Sequence, residues 1–397
     1  MITPQEARAA IAAAVVALPS EEVALSEATG RRLARDIAAD VDWPPFDASA
    51  MDGWAMHRAD LEDGSAKLAP RPGILAAGSP PAFPLSPGET LKIMTGAVVP
   101  KATAAVAPVE DAREEKGRIV VERIPAAGAH IRRRGEVFRA GAALLSQGTR
   151  LTAGAVTLAA LAGADPIAVH RRPRILVAAT GNELVPASGR PGEAQLRDTN
   201  GPMLVALCAA RGWSARVAPR AADDENEIAR LFRSASKADV LLTTGGVSAG
   251  DFDLVPEVAR RCGFEILFHR VAMRPGKPIA FGKRRSTYWI GLPGNPVSAS
   301  AGFHLFAREV LDRLEGASDP GAPRLQAQVT KDLVSGGRET YMDARLSFVE
   351  GVAHAEPLSS RGSHDLSSHA RANALIRVPP GARLPQGSLA ECILLES

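Results

Sequence analysis

The sequence predicts an α/β multidomain protein. Three observations carry that prediction. From Arg174 onward, short apolar runs alternate with helical stretches, the pattern of a parallel sheet covered by helices on both faces. Residues 42–145 instead carry brief β-like runs between Gly/Pro turns, which predicts a small β-rich domain inserted between helical segments. Residues 324–397 repeat the short-strand pattern and predict a separate all-β domain at the C-terminus.

Each element has its own local reason. Thr3-Pro4-Gln5-Glu6 opens a helix over 3–17, with Thr3 as cap, Pro4 in the first position and Glu6 closing a capping box. A second helix is expected over 26–39, with Arg31, Arg32 and Arg35 on its polar side and Leu33, Ala34 and Ile37 towards a core. In the inserted part, 42–145, the runs 91–94, 118–122 and 131–134 read as strands. Residues 151–164 return to helix and are expected to pack on the N-terminal helices, so that 1–41 with 146–172 form one helical part. The α/β domain spans 173–318. It is expected to hold strands at 175–179, 240–244 and 288–290, and helices near 200–211, 225–236, 254–262 and 297–315. Gly316–Pro323 reads as a linker within the boundary to the last domain, 319–397.

Composition narrows the function. A chain of 397 residues, 46% hydrophobic, can bury more than one core. A net charge of +3 and only two tyrosines argue against nucleic acid as a partner. Cys208, Cys262 and Cys392 are far apart and form neither a CxxC pair nor a zinc spacing, as expected of thiols in a reducing compartment. The eight histidines include no HxH or HxxxH pair that would suggest a histidine metal site. The Ala-rich N-terminal segment is interrupted by Glu6 and Arg8 and is too short to cross a bilayer. The expectation is a soluble, cytoplasmic protein without a membrane partner.

The candidate site residues cluster at loop positions. Pro44-Pro45-Phe46-Asp47-Ala48-Ser49-Ala50-Met51-Asp52-Gly53-Trp54-Ala55 is an extended, proline-fixed loop that carries two carboxylates and a hydroxyl. In the α/β part, ligands gather outside the carboxyl ends of the strands. Three acidic segments fall there: Thr180–Leu184 with Glu183, the turn Asp223-Asp224, and Thr243–Asp253 with Gly245, Gly246, Ser248, Gly250 and Asp253. Glycines at such places let backbone N–H groups approach a phosphate. In Phe268–Pro278, a strand with period two would put Arg270 and Arg274 on one face, with Lys277 in the following turn. Gly291–Ser298 ends a strand and opens a helix, where Ser298 and free N–H groups can bind an oxyanion. Carboxylates facing phosphates call for a cation such as Mg²⁺ between them. Gly246-Val-Ser248-Ala-Gly250 also fits the nucleophile elbow of a serine hydrolase, with Asp253 and His269 or His304 as partners. That reading leaves the N-terminal half without a purpose.

These segments, taken in order, resemble the molybdopterin molybdenumtransferase family over nearly the whole chain. The landmarks are Pro44–Ala55, Ile93–Ala97, Arg132-Arg-Arg-Gly-Glu136, Thr180–Leu184, Arg197-Asp-Thr-Asn200, Asp223-Asp224, Gly245–Asp253, Arg274–Phe281, Gly291–Ser298, Gly362-Ser363 and Leu366–Leu375. The α/β domain alone is also similar to molybdopterin-binding adenylyltransferases, so the flanking domains decide between the two. The resemblance implies a three-layer α/β domain, an inserted β-rich domain, an N-terminal helical part and a C-terminal β-barrel-like domain. It implies a homodimer, served by molybdopterin adenylyltransferase and molybdoenzyme chaperones as further partners.

The implied reaction is Mg²⁺-dependent insertion of molybdate into adenylylated molybdopterin, with release of AMP. By the resemblance, Asp52 and Thr95 reach in from the partner subunit. Glu183, Asp223 and Asp253 line the loops as catalytic residues and Mg²⁺ ligands. Arg274, Lys277 and Ser298, helped by Arg270 and Ser363, contact molybdate or phosphate. The chain departs from the family pattern at Ala104 and Val137, where acids are usual, at Asp343, where an arginine is common, and at Asn182, where Asp is usual. Those departures raise the alternative of a weakened or non-catalytic paralogue that binds molybdopterin or a protein.

Overall fold

Two compact units make up the protein, whose computed structural model describes residues 1–64, 67–247 and 254–395. One unit comprises residues 1–35, 147–153 and 166–397, and the other comprises 36–146 and 154–165.

The first unit is organised by a six-stranded sheet. Its order is Ala215–Val217, Ile175–Ala179, Val240–Thr244, Thr287–Leu292, Ala280–Arg284, Glu265–His269. The first four strands run parallel, and the last two are antiparallel to their neighbours. The strand Ala280–Arg284 goes beyond what the sequence pattern predicts. Its Gly282, Lys283 and Arg284 give it no continuous apolar run, and tertiary pairing decides its state.

Side chains alternate between the two faces of the sheet, as a pleated strand requires. Val177, Val240, Leu242 and Ile290 join a core with Leu204 and Cys208 of the helix Asn200–Ala210 and with Phe303 and Phe306. Ala178, Leu241 and Trp289 face the other way, onto Phe232 of the helix Glu225–Ser234 and Val258 of the helix Val255–Arg261. Three layers result. The helix expected over 297–315 is a continuous run of Pro296–Gly302, a π-helical turn Phe303–Ala307 and Arg308–Leu314.

The first helix, Pro4–Ala14, starts at the predicted capping box, with both Thr3 and Glu6 bonds present. The helix expected over 26–39 does not form. A 3-10 turn, Leu25–Glu27, is followed by extended chain and the short strand Ile37–Ala38. Gly30 turns the backbone at φ 79°, and the N–H groups of Gly30, Leu33 and Ala34 donate to Leu151, Thr149 and Ala168. Arg31, read as polar surface, is buried and donates to the carbonyl of His170 at 2.9 Å. Partners distant in sequence thus outcompete a helical pattern of moderate propensity.

The last domain is a closed barrel. Glu339–Val349 pairs with Val352–Pro357, which pairs with Arg324–Val329, then Leu389–Leu394, then Ala374–Val378, which returns to Glu339–Val349. Each of the five strands thus has a paired neighbour on both sides, the contact of Arg324–Val329 with Val352–Pro357 being confined to Gln328 and Val329.

In the second unit the six-stranded order is Thr103–Pro108, Gly53–His57, Glu89–Ile93, Lys67–Leu75, Arg118–Val121, Ala112–Glu115. Gly53 lies inside this sheet. A Cβ there would sit 2.1 Å from the Ala107 carbonyl oxygen, so only glycine permits the pairing. The expected helix at 151–164 is present as Ala153–Leu161.

Candidate active site

The carboxyl ends of three parallel strands open into a cleft of about 550 Å³. Ile175–Ala179 delivers Thr180 and Glu183 to it, and Val240–Thr244 delivers Gly245 and Gly246. Asp223 lies on the same wall. The loops are fitted together by short contacts. Thr180 N–H donates to Thr244 O at 2.9 Å. Gly245 sits at φ 91°, and a Cβ on it would stand 2.4 Å from Thr180 O. Asn182 and Asp223 clasp each other. The N–H of Asn182 donates to the Asp223 carboxylate at 3.3 Å, and the N–H of Asp223 donates to the Asn182 side-chain oxygen at 3.1 Å. Asn182 thereby ties two strand-end loops together.

A second cleft, of about 770 Å³, adjoins the first and shares Pro278, Asn295 and His364 with it. Its wall holds Arg274, Lys277, Ser298, Arg338 and Ser363. Arg274 and Lys277 are exposed, and Arg338 donates to Met273 O at 3.3 Å. Ser298 is in the first turn of the helix Pro296–Gly302, whose N-terminal dipole favours negative charge. The first cleft is thus mainly acidic, with Glu183, Asp198 and Asp223 beside Arg197, and the second mainly cationic, with Arg274, Lys277 and Arg338 beside Asp343.

Arg270 does not share a strand face with Arg274. The strand ends at His269, Arg270 takes φ 73°, and Arg274 belongs to a two-residue strand, Met273–Arg274, paired with the barrel. In place of the expected period-two continuity, the N–H groups of Arg270 and Val271 donate to Ile279 O and Lys277 O, and Ile2 pairs alongside Val271 with its N–H donating to Arg270 O. Arg270 lies on neither cleft wall.

Asp52 and Thr95 are brought together in the second unit. The N–H and hydroxyl of Thr95 both donate to Asp52 Oδ1 at 2.7 Å, and these bonds hold the Asp52 carboxyl below the usual carboxylate range. The Pro44–Ala55 loop is also tied to the 132–136 landmark. Asp47 accepts from Arg133 Nη1 at 2.7 Å and from the N–H of Arg134 at 2.9 Å. Ser248, Gly250 and Asp253 lie outside the described residues. So does the centre of the serine-hydrolase reading. Of its other partners, His269 Nε2 meets the Val247 carbonyl at 3.1 Å. His304 is buried, and burial together with Arg308 pushes its pKa down to about 3.

Residues that sequence reasoning did not single out also build the walls. Asn200 opens the helix Asn200–Ala210 and donates to Gly294 O at 2.8 Å, joining two loops of the first cleft. His364 stands where the two clefts meet, and Arg338 adds a cation to the second. Asn200 and His364 lay within or beside landmark segments, but side-chain direction was needed to assign them. Among the described residues, no group of three His, Cys, Asp or Glu could hold a metal ion.

Comparison with known proteins resolves the family. The MoeA N-terminal region (domain I and II) matches residues 2–163, a probable molybdopterin binding domain matches 176–313, and the MoeA C-terminal region (domain IV) matches 326–395. A molybdopterin molybdenumtransferase of Bacillus subtilis is 33% identical over 373 residues, covering 92% of this chain and 87% of that protein. The chain belongs to the molybdopterin molybdenumtransferase family. A Staphylococcus aureus member is 30% identical over 386 residues, covering 96% of this chain and 92% of its own. A molybdopterin biosynthesis MoeA protein from Pyrococcus horikoshii superposes with a TM-score of 0.83 at 28% identity, covering 99% of both chains. The chain is thus a transferase of molybdenum cofactor biosynthesis with a molybdopterin-binding domain. No helix among its described residues is long and apolar enough to cross a membrane.

Proposed function

We propose that this transferase inserts molybdate into adenylylated molybdopterin and releases AMP in the joined clefts. The observation that carries the proposal is the shared wall at Pro278, Asn295 and His364, which sets an acidic, glycine-lined cleft beside a cationic one. The adenylylated pterin occupies the first, with its pyrophosphate against Gly245 and Gly246. Molybdate occupies the second, against Arg274, Lys277, Ser298 and Ser363. Cations and a helix N-terminus beside a tetrahedral dianion lower the cost of bringing it next to a pyrophosphate.

Glu183 and Asp223 supply two carboxylates on one wall, a donor set that suits Mg²⁺, which is bound through one or two carboxylates plus substrate phosphates. Bound there, the ion would offset pyrophosphate charge. The protein's own part is positional: the Asn182–Asp223 clasp sets the spacing of the two acidic loops, and Gly245 lets the backbone close on the phosphates. Asp52 and Thr95 complete the site from the second subunit of a homodimer in this reading, and the four-domain division at 41/42, 145/146, 172/173 and 318/319 goes with it.

Incubation with adenylylated molybdopterin, Mg²⁺ and molybdate should release AMP only when molybdate is present. AMP release that ignores molybdate, or none at all, would refute the proposal. The second reading, a weakened or purely binding paralogue, draws on Asp343, a carboxylate on the wall of the cationic cleft. Tight pterin binding without turnover would favour it.

A further inference from the structure

The cationic cleft contains a charge of the wrong sign for an anion. Asp343 comes from the barrel strand Glu339–Val349, lines the same cleft as Arg274, Lys277 and Arg338, and its side chain is only 4% exposed. It is held by His369, whose Nδ1 lies 2.9 Å from Asp343 Oδ1. The other ring nitrogen, Nε2, lies 2.9 Å from Ser300 Oγ. Ser300 is buried on the helix Pro296–Gly302, which also carries Ser298 into the cleft. The imidazole therefore spans from the barrel to the α/β layer. Ser363 and His364 of the cleft wall precede its own short helix, Leu366–His369.

The arrangement has the composition of a hydrolytic triad, but Ser300 is 1% exposed and offers no nucleophile to a substrate. The surroundings of His369 leave Asp343 as its ionic partner. From the long helix it faces Ser300 and, one turn further on, His304, kept neutral by burial and Arg308. On its own helix, Asp365 is spent on the N–H of Ser368 and the hydroxyl of Ser367. On the barrel side, Arg345 donates to Arg371 O.

An unneutralised carboxylate on this wall repels a dianion, whereas a carboxylate paired with an imidazolium does not. We propose that His369 is a positioning residue of the oxyanion pocket: anchored on Ser300, it holds Asp343 and cancels its charge by taking up a proton when the anion binds. The inference rests on the reading of the cationic cleft as the molybdate pocket. It makes Asp343 and His369 a matched pair, in which the imidazolium compensates for a carboxylate on the wall of an otherwise cationic cleft.

The test is calorimetric titration of the full chain with molybdate alone, in buffers of different ionisation enthalpy, between about pH 5.5 and 8.5 where imidazoles titrate. The wild type should bind about tenfold more weakly at the alkaline end and take up as much as one proton on binding. Asp343→Asn should bind tighter than wild type at alkaline pH, with a flattened profile. His369→Gln should bind weakly throughout, with no proton uptake from this source. Ser300→Ala should keep the uptake. An Asp343→Asn profile parallel to wild type, or normal proton uptake in His369→Gln, would overturn the inference. If His369→Gln fails to fold, the Asp343→Asn arm and an NMR titration of the His369 ring with and without molybdate decide it alone. Absence of molybdate binding in the wild type, or binding indifferent to Lys277→Ala, would instead overturn the pocket's assignment.

Discussion

Asp239→Asn should destabilise the α/β unit without touching the chemistry. Asp239 precedes the strand Val240–Thr244, at the end opposite the cleft. Its side chain is 3% exposed and takes two bonds from Arg171, at 2.7 and 2.8 Å, and three from Arg174, one of them from the backbone N–H at 2.8 Å. Burial pushes the carboxyl pKa up, but the bonds from both arginines outweigh it and hold the group well below the usual carboxylate range. Breaking a buried pair costs about 3–5 kcal/mol. Arg171 and Arg174 are 27% and 63% exposed and can turn to water, and Asn keeps some acceptor geometry, so the expected cost is about 2–4 kcal/mol.

Urea unfolding followed by tryptophan fluorescence measures it. In a background with Trp43 and Trp54 of the second unit replaced by Phe, the buried Trp213 and Trp289 report on the first unit. Because the folded pKa is depressed, the contribution is fully present above the unfolded value of about 3.9 and is lost as pH falls towards the folded one. The wild-type advantage should hold constant from pH 8 to about pH 5 and shrink below about pH 4. A variant within about 0.5 kcal/mol of wild type at pH 7, or an advantage indifferent to acid, would refute the reasoning.

Other outcomes follow from the same geometry. Glu183→Gln should lower AMP release about 100-fold while the melting temperature, read by circular dichroism, stays put, because the residue is exposed on a loop. Gly245→Ala should cost about 2–3 kcal/mol in urea and also impair pterin binding, since the new Cβ meets the Thr180 carbonyl oxygen at 2.4 Å in a left-handed conformation. Burial pushes the Cys208 thiol up to about 12 and, with help from Glu391, the Cys392 thiol up to about 11. A thiol reagent at pH 8 should therefore label the half-buried Cys262 in the native protein and the other two only after denaturation.

The parts of the fold that were readable in sequence are those whose state is decided locally. The apolar runs at 175–179 and 240–244 became central strands with the expected bounds, and the Thr3–Glu6 capping box starts a helix. The misread parts are those decided by distant partners. Segment 26–39 pairs with residues 149–151 and 168 rather than coiling, and Ala280–Arg284 becomes a strand through its neighbour Thr287–Leu292. The candidate site follows the same division. Residues at strand ends, such as Glu183 and Gly245, could be placed from the α/β pattern. Arg270 could not, because its backbone leaves the strand at φ 73° beside Val271, whose partner Ile2 is distant in sequence. His369 and Ser300 stand 69 residues apart, and no local pattern announces that they touch.

That same Ile2 pairing sets an order of events during synthesis. The N–H of Ile2 donates to Arg270 O, and the N–H of Ala272 donates to Ile2 O. Ile2 must therefore wait for a segment translated 268 positions later, from 2 to 270. At typical elongation rates that delay is roughly 15–50 s. Throughout it the apolar side of the opening helix, Ala7 and Ile11, lacks its docking place and needs shielding by a chaperone or by the nascent chain itself.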